Sequence, residues 1–157
     1  GLKEIKRATG KALTKKPLVV LVNENSASAS EIVSGAIRDN NRGKLVGKKT
    51  FGKGLVQSMR TLVDGSGLTV TVAKYLTPNG TDINKFGIIP DIEVKMNSTP
   101  ILQREIGTRR DKQYRVGEKE LIKIINKTNF VSYFDPNSSN VLAFLKKRNI
   151  NMVYSLN

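Results

Sequence analysis

The chain has 157 residues, 38% of them apolar, with 13 Gly and 5 Pro spread along it, which suits one folded domain better than a disordered segment. It carries 27 Lys and Arg against 13 Asp and Glu, a net charge of +14, and it contains neither Cys nor His. Those two absences exclude cysteine nucleophiles, Ser-His-Asp triads, disulfides and His- or Cys-based zinc sites within these residues, so a general base here must be a carboxylate, a lysine or a tyrosine.

The basic excess lies in residues 1–60 and 101–157, while residues 61–100 are nearly balanced. Its members are scattered among apolar residues, without an arginine-rich run or interleaved aromatics, and read as a solvated lysine-rich face rather than a nucleic-acid interface. No apolar run approaches the ~18 residues of a membrane span, and the first residues lack a signal-peptide apolar core. The chain opens at Gly1-Leu2 without an initiator Met, which reads as a fragment of a longer polypeptide.

Residues 1–16 are basic and mixed, with Leu2 and Ile5 too sparse to set a periodicity. "PLVVLV" (Pro17–Val22) is a continuous apolar run and predicts a buried strand. "NENSA" then turns the chain, and Ala29, Ile32, Val33, Ala36 and Ile37 recur at helical spacing, which predicts an amphipathic helix over about Ser28 to Asn40. Glu31 in its first turn suits the helix dipole, and "NNRG" ends it. "KLVG" (Lys44–Gly47) is a second short strand, so residues 17–47 form a strand–helix–strand unit on a parallel sheet. "LVQSMRTLV" and "LTVTVAKYL", separated by Asp64-Gly65-Ser66-Gly67, predict a hairpin, with Leu68, Val70 and Val72 alternating with Thr69, Thr71 and Ala73. "TPNG" and "GIIPD" are turns, and "IEV" is an edge-strand candidate. Beyond Asn97 the pattern predicts a peripheral helical layer, with Leu121, Ile122 and Ile125 on one face of a helix over 117–126 and a short helix over 141–147. The fold class is therefore α/β.

Two motifs carry chemistry. In "GKKTFGKGLVQ", Gly47, Gly52 and Lys53 match the start of a phosphate-binding loop, but Gly54 stands where that loop needs a Ser or Thr for magnesium, and a strand rather than a helix follows. Nucleotide binding is therefore set aside. Phe51, Leu55 and Val56 flank Lys53 with apolar groups, and an ammonium that loses water there yields readily to the neutral, proton-accepting amine. Such a base needs a nucleophile, and "SASASEI" (Ser26–Ile32) offers three serines where a strand passes into a helix. Ser28 stands at the helix start, where unpaired amides, including that of Ala29, can stabilise an oxyanion. From the local sequence alone, the same serines read more readily as helix caps.

"VNENSASASEIVSGAIRDN", "GKKTFGKGLVQS", "DGSGLTVTVAKYLTPNGTDINKFGIIPDIEV" and "RATGKALTKKPLVVLVN" together resemble the catalytic core of the C-terminal processing peptidases, or tail-specific proteases. The likeness covers about residues 1–95 and is nearest the cyanobacterial and plastid branch. It implies a partial ClpP/crotonase-like peptidase core over residues 1–96; the helical tail over 97–157, read from its own residue pattern, contributes little to the likeness. It implies Ser28 as nucleophile, Lys53 as general base, Gln57 as the residue orienting that lysine, the Ala29 amide as an oxyanion donor and Asp39 as structural support. Neither a metal nor a cofactor is implied. The expected activity is a Ser-Lys serine endopeptidase acting on the C-terminal tails of proteins, with the photosystem II reaction-centre precursor as an expected substrate. The expected setting is an exported one, the thylakoid lumen or the periplasm, with peripheral contact to an anionic membrane surface and no nucleic-acid partner. The family's PDZ module, and a "DLRxNPGG"-type segment whose glycine supplies a second oxyanion donor, have no counterpart in residues 1–157. The alternative reading is a non-catalytic module that binds C-terminal peptides.

Overall fold

The computed structural model describes residues 3–95, 102–127 and 153–154. Its elements are β1 (Val19–Val22), α1 (Ala29–Asp39), β2 (Lys44–Gly47), β3 (Leu55–Thr61), β4 (Gly67–Lys74), β5 (Ile92–Glu93), a 3₁₀ turn (Gln103–Glu105), α2 (Lys112–Lys127) and β6 (Val153–Tyr154). The result is a mixed α/β chain, as the alternation of apolar runs and helical spacing predicts. The helix expected over 141–147 lies outside the described residues, and nothing in the sequence pattern had marked β6.

Four strands form a parallel sheet in the order β5-β2-β1-β6. All four residues of β1 are buried, which explains why its sequence is unbroken Val and Leu: both faces of a parallel strand are covered. Val19 and Leu21 join Val46, Val94, Tyr114, Leu121 and Ile125 on one face. Val20 and Val22 join Leu45, Ile83 and Ile88 on the other, with Ile37 packed alongside. The alternation of a strand thus divides β1 between two core layers.

Helix α2 departs from the peripheral layer expected for the tail. It begins at Lys112, earlier than its apolar spacing suggested, and packs against β1 and β2 with Tyr114, Leu121 and Ile125 buried. The early start follows from Asp111, whose Oδ1 accepts the N–H groups of Gln113 and Tyr114 at 2.9 and 3.1 Å and so caps the first turn.

Helix α1 has the expected span, and Ile37 packs on the core as expected, but the rest of its facing is rotated. Its buried residues are Glu31, Ser34 and Gly35, whereas Ile32 and Val33 are exposed. The inward face is polar and small because it carries a carboxylate network and meets Thr77 and Ile88 closely at Gly35. The hairpin β3–β4 pairs as a separate two-stranded sheet, with every residue of β4 exposed. Among the described residues no helix is long and apolar enough to cross a membrane, and no cluster of Asp and Glu is arranged to hold a metal ion.

Candidate active site

Strand β1 delivers the chain into the Asn23–Ser28 turn, and the three serines there have different environments. Ser26 is fully buried; its Oγ accepts the Asn23 N–H at 3.0 Å, and its carbonyl accepts the Phe51 N–H at 3.0 Å. It is a latch of the turn, sealed from any substrate. Ser30 is already in the helix, its N–H donating to the Ala27 carbonyl at 3.1 Å. Ser28, half-buried at the N-cap of α1, has φ 54° and ψ −115°, a conformation that costs a non-glycine residue of order 1–3 kcal/mol. A serine held there is over-determined by its surroundings, and the sharp strand-to-helix turn has the character of a nucleophile elbow.

The group that holds it is Glu31. Its carboxylate is fully buried and accepts four hydrogen bonds: from Thr50 Oγ1 at 2.6 Å and the Gly52 N–H at 2.7 Å on Oε1, and from the Lys53 N–H at 2.8 Å and the Ser28 N–H at 3.0 Å on Oε2. One oxygen thus joins the backbones of Ser28 and Lys53, residues 25 positions apart in sequence. Thr50 Oγ1 in turn accepts the Ile88 N–H at 2.7 Å, so the 83–88 segment is tied to the same network. The loop bearing Lys53 can approach this segment because residue 52 is glycine: it has φ 92°, and a Cβ there would meet Gly87 N at 3.0 Å.

Lys53 itself is exposed, as are Phe51 at 63% and Leu55 at 39%. The apolar wall expected around it is therefore open to water, because the hairpin that follows has no element packed over it among the described residues. Among those residues no hydrogen bond links Ser28 Oγ to Lys53 Nζ: the two backbones converge, while the side chains do not pair. Gln57 lies in β3 opposite Thr71, beside a bulge where the partner register skips Val72. Lys53 precedes the strand, so strand alternation does not by itself put Lys53 and Gln57 on one face.

Ala29 is the first residue of α1, and no acceptor within the described residues takes its N–H. Asp39, at the last position of α1, accepts the Asn79 N–H at 3.0 Å and pairs with Arg38 at 3.0 Å. Its side chain is 2% exposed. That burial disfavours the charge, but hydrogen bonds from Thr77, Asn79 and Arg38 outweigh it and hold the carboxyl below its usual value. The sequence had offered Glu31 only as a partner of the helix dipole. Its spacing of three from Ser28, the capping-box interval, was the available signal, since it sends the carboxylate back toward the Ser28 amide.

The profile of peptidase family S41 matches residues 2–94. A carboxyl-terminal-processing protease of Picosynechococcus sp. is 55% identical over 115 residues, 73% of this chain and 27% of that protein. Carboxyl-terminal-processing peptidase 3, chloroplastic, of Arabidopsis thaliana is 54% identical over 102 residues, 65% of this chain and 20% of that protein. Among solved structures, a photosystem II D1 C-terminal processing protease superposes with TM-score 0.50 at 55% identity, covering 54% of this chain and 22% of that one. The chain thus spans about a quarter of the length of the curated relatives it matches. The matched stretch runs from before β1 through β5 and includes the strained serine, its glutamate and the lysine loop, which makes the chain a member of peptidase family S41.

Proposed function

We propose that this chain carries the nucleophile and base of a serine endopeptidase that removes C-terminal extensions from proteins. The observation that carries the reading is the shared carboxylate oxygen of Glu31, which binds the amides of the strained Ser28 and of Lys53 at once. In this reading Ser28 Oγ attacks the scissile carbonyl and Lys53 takes its proton, which it then returns to the leaving amine. A water molecule hydrolyses the resulting acyl-enzyme, with Lys53 as base for the second time. The Ala29 N–H points its unused donor at the developing oxyanion, and Gln57 steadies the lysine. Asp39 fastens the end of α1 to the Thr77–Gly80 turn and takes no part in proton transfer. The partial ClpP/crotonase-like core belongs to the same reading.

Lys53 must lose water to work as a base, and its open surroundings demand closure over Phe51 and Leu55 by substrate or by polypeptide outside this chain. The photosystem II D1 precursor is the proposed substrate, from the similarity to the protease named for it, with the thylakoid lumen as setting and an anionic membrane surface as a peripheral contact. The test is cleavage of a C-terminally tailed protein by the full gene product. Ser28→Ala and Lys53→Ala each lower kcat by at least about 10³-fold while the melting temperature is kept. Turnover at the parental rate in either variant overturns the mechanism. The open lysine also leaves room for a second reading, a peptide-binding module without turnover. It predicts binding of the tail with no cleavage by the parent protein either.

A further inference from the structure

The two loops that Glu31 joins at their tips are also joined at their roots. Gln113, in the first turn of α2, donates from Nε2 to the Val22 carbonyl at 2.7 Å and to the Val46 carbonyl at 3.1 Å. Those carbonyls lie at the ends of the adjacent parallel strands β1 and β2. Val22 leads directly into the turn that ends at Ser28, and Val46 leads through Gly47 into the loop that ends at Lys53. One carboxamide, with two protons and two acceptors, bridges the two strand ends, reinforcing the Lys48 N–H bond that the Val22 carbonyl accepts at 2.9 Å.

The surroundings are built for that side chain. Gly47 has φ 140°, and a Cβ on it would stand 2.2 Å from Gln113 Nε2 and 1.9 Å from the Val22 carbonyl, so any other residue would collide with the contact. The buried Asp111 fixes Gln113 from its own side, accepting its N–H at 2.9 Å through Oδ1 while Oδ2 accepts the Gly107 N–H at 3.0 Å. Leu121 and Ile125, buried further along α2, anchor the helix against the sheet. Gln113 lies outside the stretch matched by the family profile, in a segment whose sequence had shown no chemical motif.

We propose that Gln113 is a positioning residue for the reaction. By tying the ends of β1 and β2 it fixes the spacing of the turn carrying Ser28 and the loop carrying Lys53, without touching either side chain. The inference rests on the serine endopeptidase reading given above. A looser pair of roots leaves peptide binding intact and spoils the approach of nucleophile and base, a misplacement that lowers rates by up to about 10²-fold.

The experiment uses the full gene product and a tailed protein substrate, with Gln113→Met, which keeps length and removes both donors, and Gln113→Glu, which keeps shape and sets oxygen against the two carbonyls. Rates are counted per serine titrated to completion by a fluorophosphonate, so that unfolded protein does not enter. In both variants kcat falls by about 10- to 100-fold with KM within about twofold, and the rate of fluorophosphonate labelling falls in parallel. If either folded variant keeps the parental kcat and labelling rate, the proposal is overturned. A rise in KM at constant kcat overturns it too, since that would place Gln113 in substrate binding. Ser28→Ala serves as the control: cleavage that survives it rejects the endopeptidase reading itself, whereas cleavage lost in Ser28→Ala and intact in Gln113→Met rejects only the positioning role.

Discussion

Glu31 is a carboxylate with its hydrogen-bonding capacity taken up entirely by neighbours within the fold. Two of its four donors belong to the loop of Lys53, one to Thr50 and one to the strained Ser28. Replacing it by glutamine keeps the volume but turns an NH₂ group toward amides that themselves need an acceptor. Two hydrogen bonds to a charged group are then lost and replaced by donor–donor contacts, at a cost of about 2–3 kcal/mol or more. Glu31→Gln should therefore lower the free energy of urea unfolding by that amount, and in the full gene product abolish cleavage together with it. A variant within about 0.5 kcal/mol of the parent would mean that the four contacts contribute little to holding the site. Ser28 makes the complementary point. Its backbone conformation is unfavourable for serine and persists because the carboxylate below it and the first turn of α1 leave it no alternative. None of this strain is visible in "SASAS", where composition alone makes the three serines equivalent.

Helix α1 joins the two ends of its own environment: Glu31 in the first turn holds the turn of Ser28 and the loop of Lys53, and Asp39 in the last holds the Thr77–Gly80 turn. The carboxyl of Asp39 is buried, yet Thr77, Asn79 and Arg38 keep it below the ordinary aspartate value. A carboxyl lowered in the folded state contributes stability above the unfolded-state pKa, and loses it as pH falls through the folded value. At neutral pH, Asp39→Asn should cost about 1–2 kcal/mol, and the gap in melting temperature from the parent should narrow as pH is taken below about 4. A gap that stays constant between pH 7 and pH 3 would remove Asp39 from this role. The elements themselves were legible where periodicity is strong. "KLVG" forms a strand at its predicted bounds, and the α1 and hairpin spans differ from expectation by only a residue or two at most ends. What periodicity could not supply was facing. Ile32 and Val33 satisfy helical spacing, but the network of Glu31 and the close approach at Gly35 outweigh them and turn the polar side inward.

The sheet and the hairpin stand under different constraints within one chain. Strands β1 and β2 are covered on both faces, by α2 with Val94 on one and by Ile83, Ile88 and α1 on the other. Among the described residues, strands β3 and β4 have only each other, and Leu68, Val70 and Val72, which alternate with Thr69, Thr71 and Ala73, are all exposed. Alternation records a face meant for burial without naming what buries it, and for this reason the site was legible as residues before it was legible as an environment. Ser28 and Lys53 stood out in the sequence, but the openness around Lys53 depends on contacts the hairpin does not make within the described residues. A two-stranded hairpin is marginally stable in water, since a few cross-strand pairs must offset the ordering of two whole strands. In the 157-residue chain, amide hydrogen exchange should therefore split into two classes. The amides of Leu55–Thr61 and Gly67–Lys74 should exchange by local opening, at least about 10²-fold faster than those of Val20, Leu21 and Val46, which open only with the sheet. Equal protection in both would show that the hairpin is already held as firmly as the core, and the need for closure over Lys53 would have to be met by substrate alone.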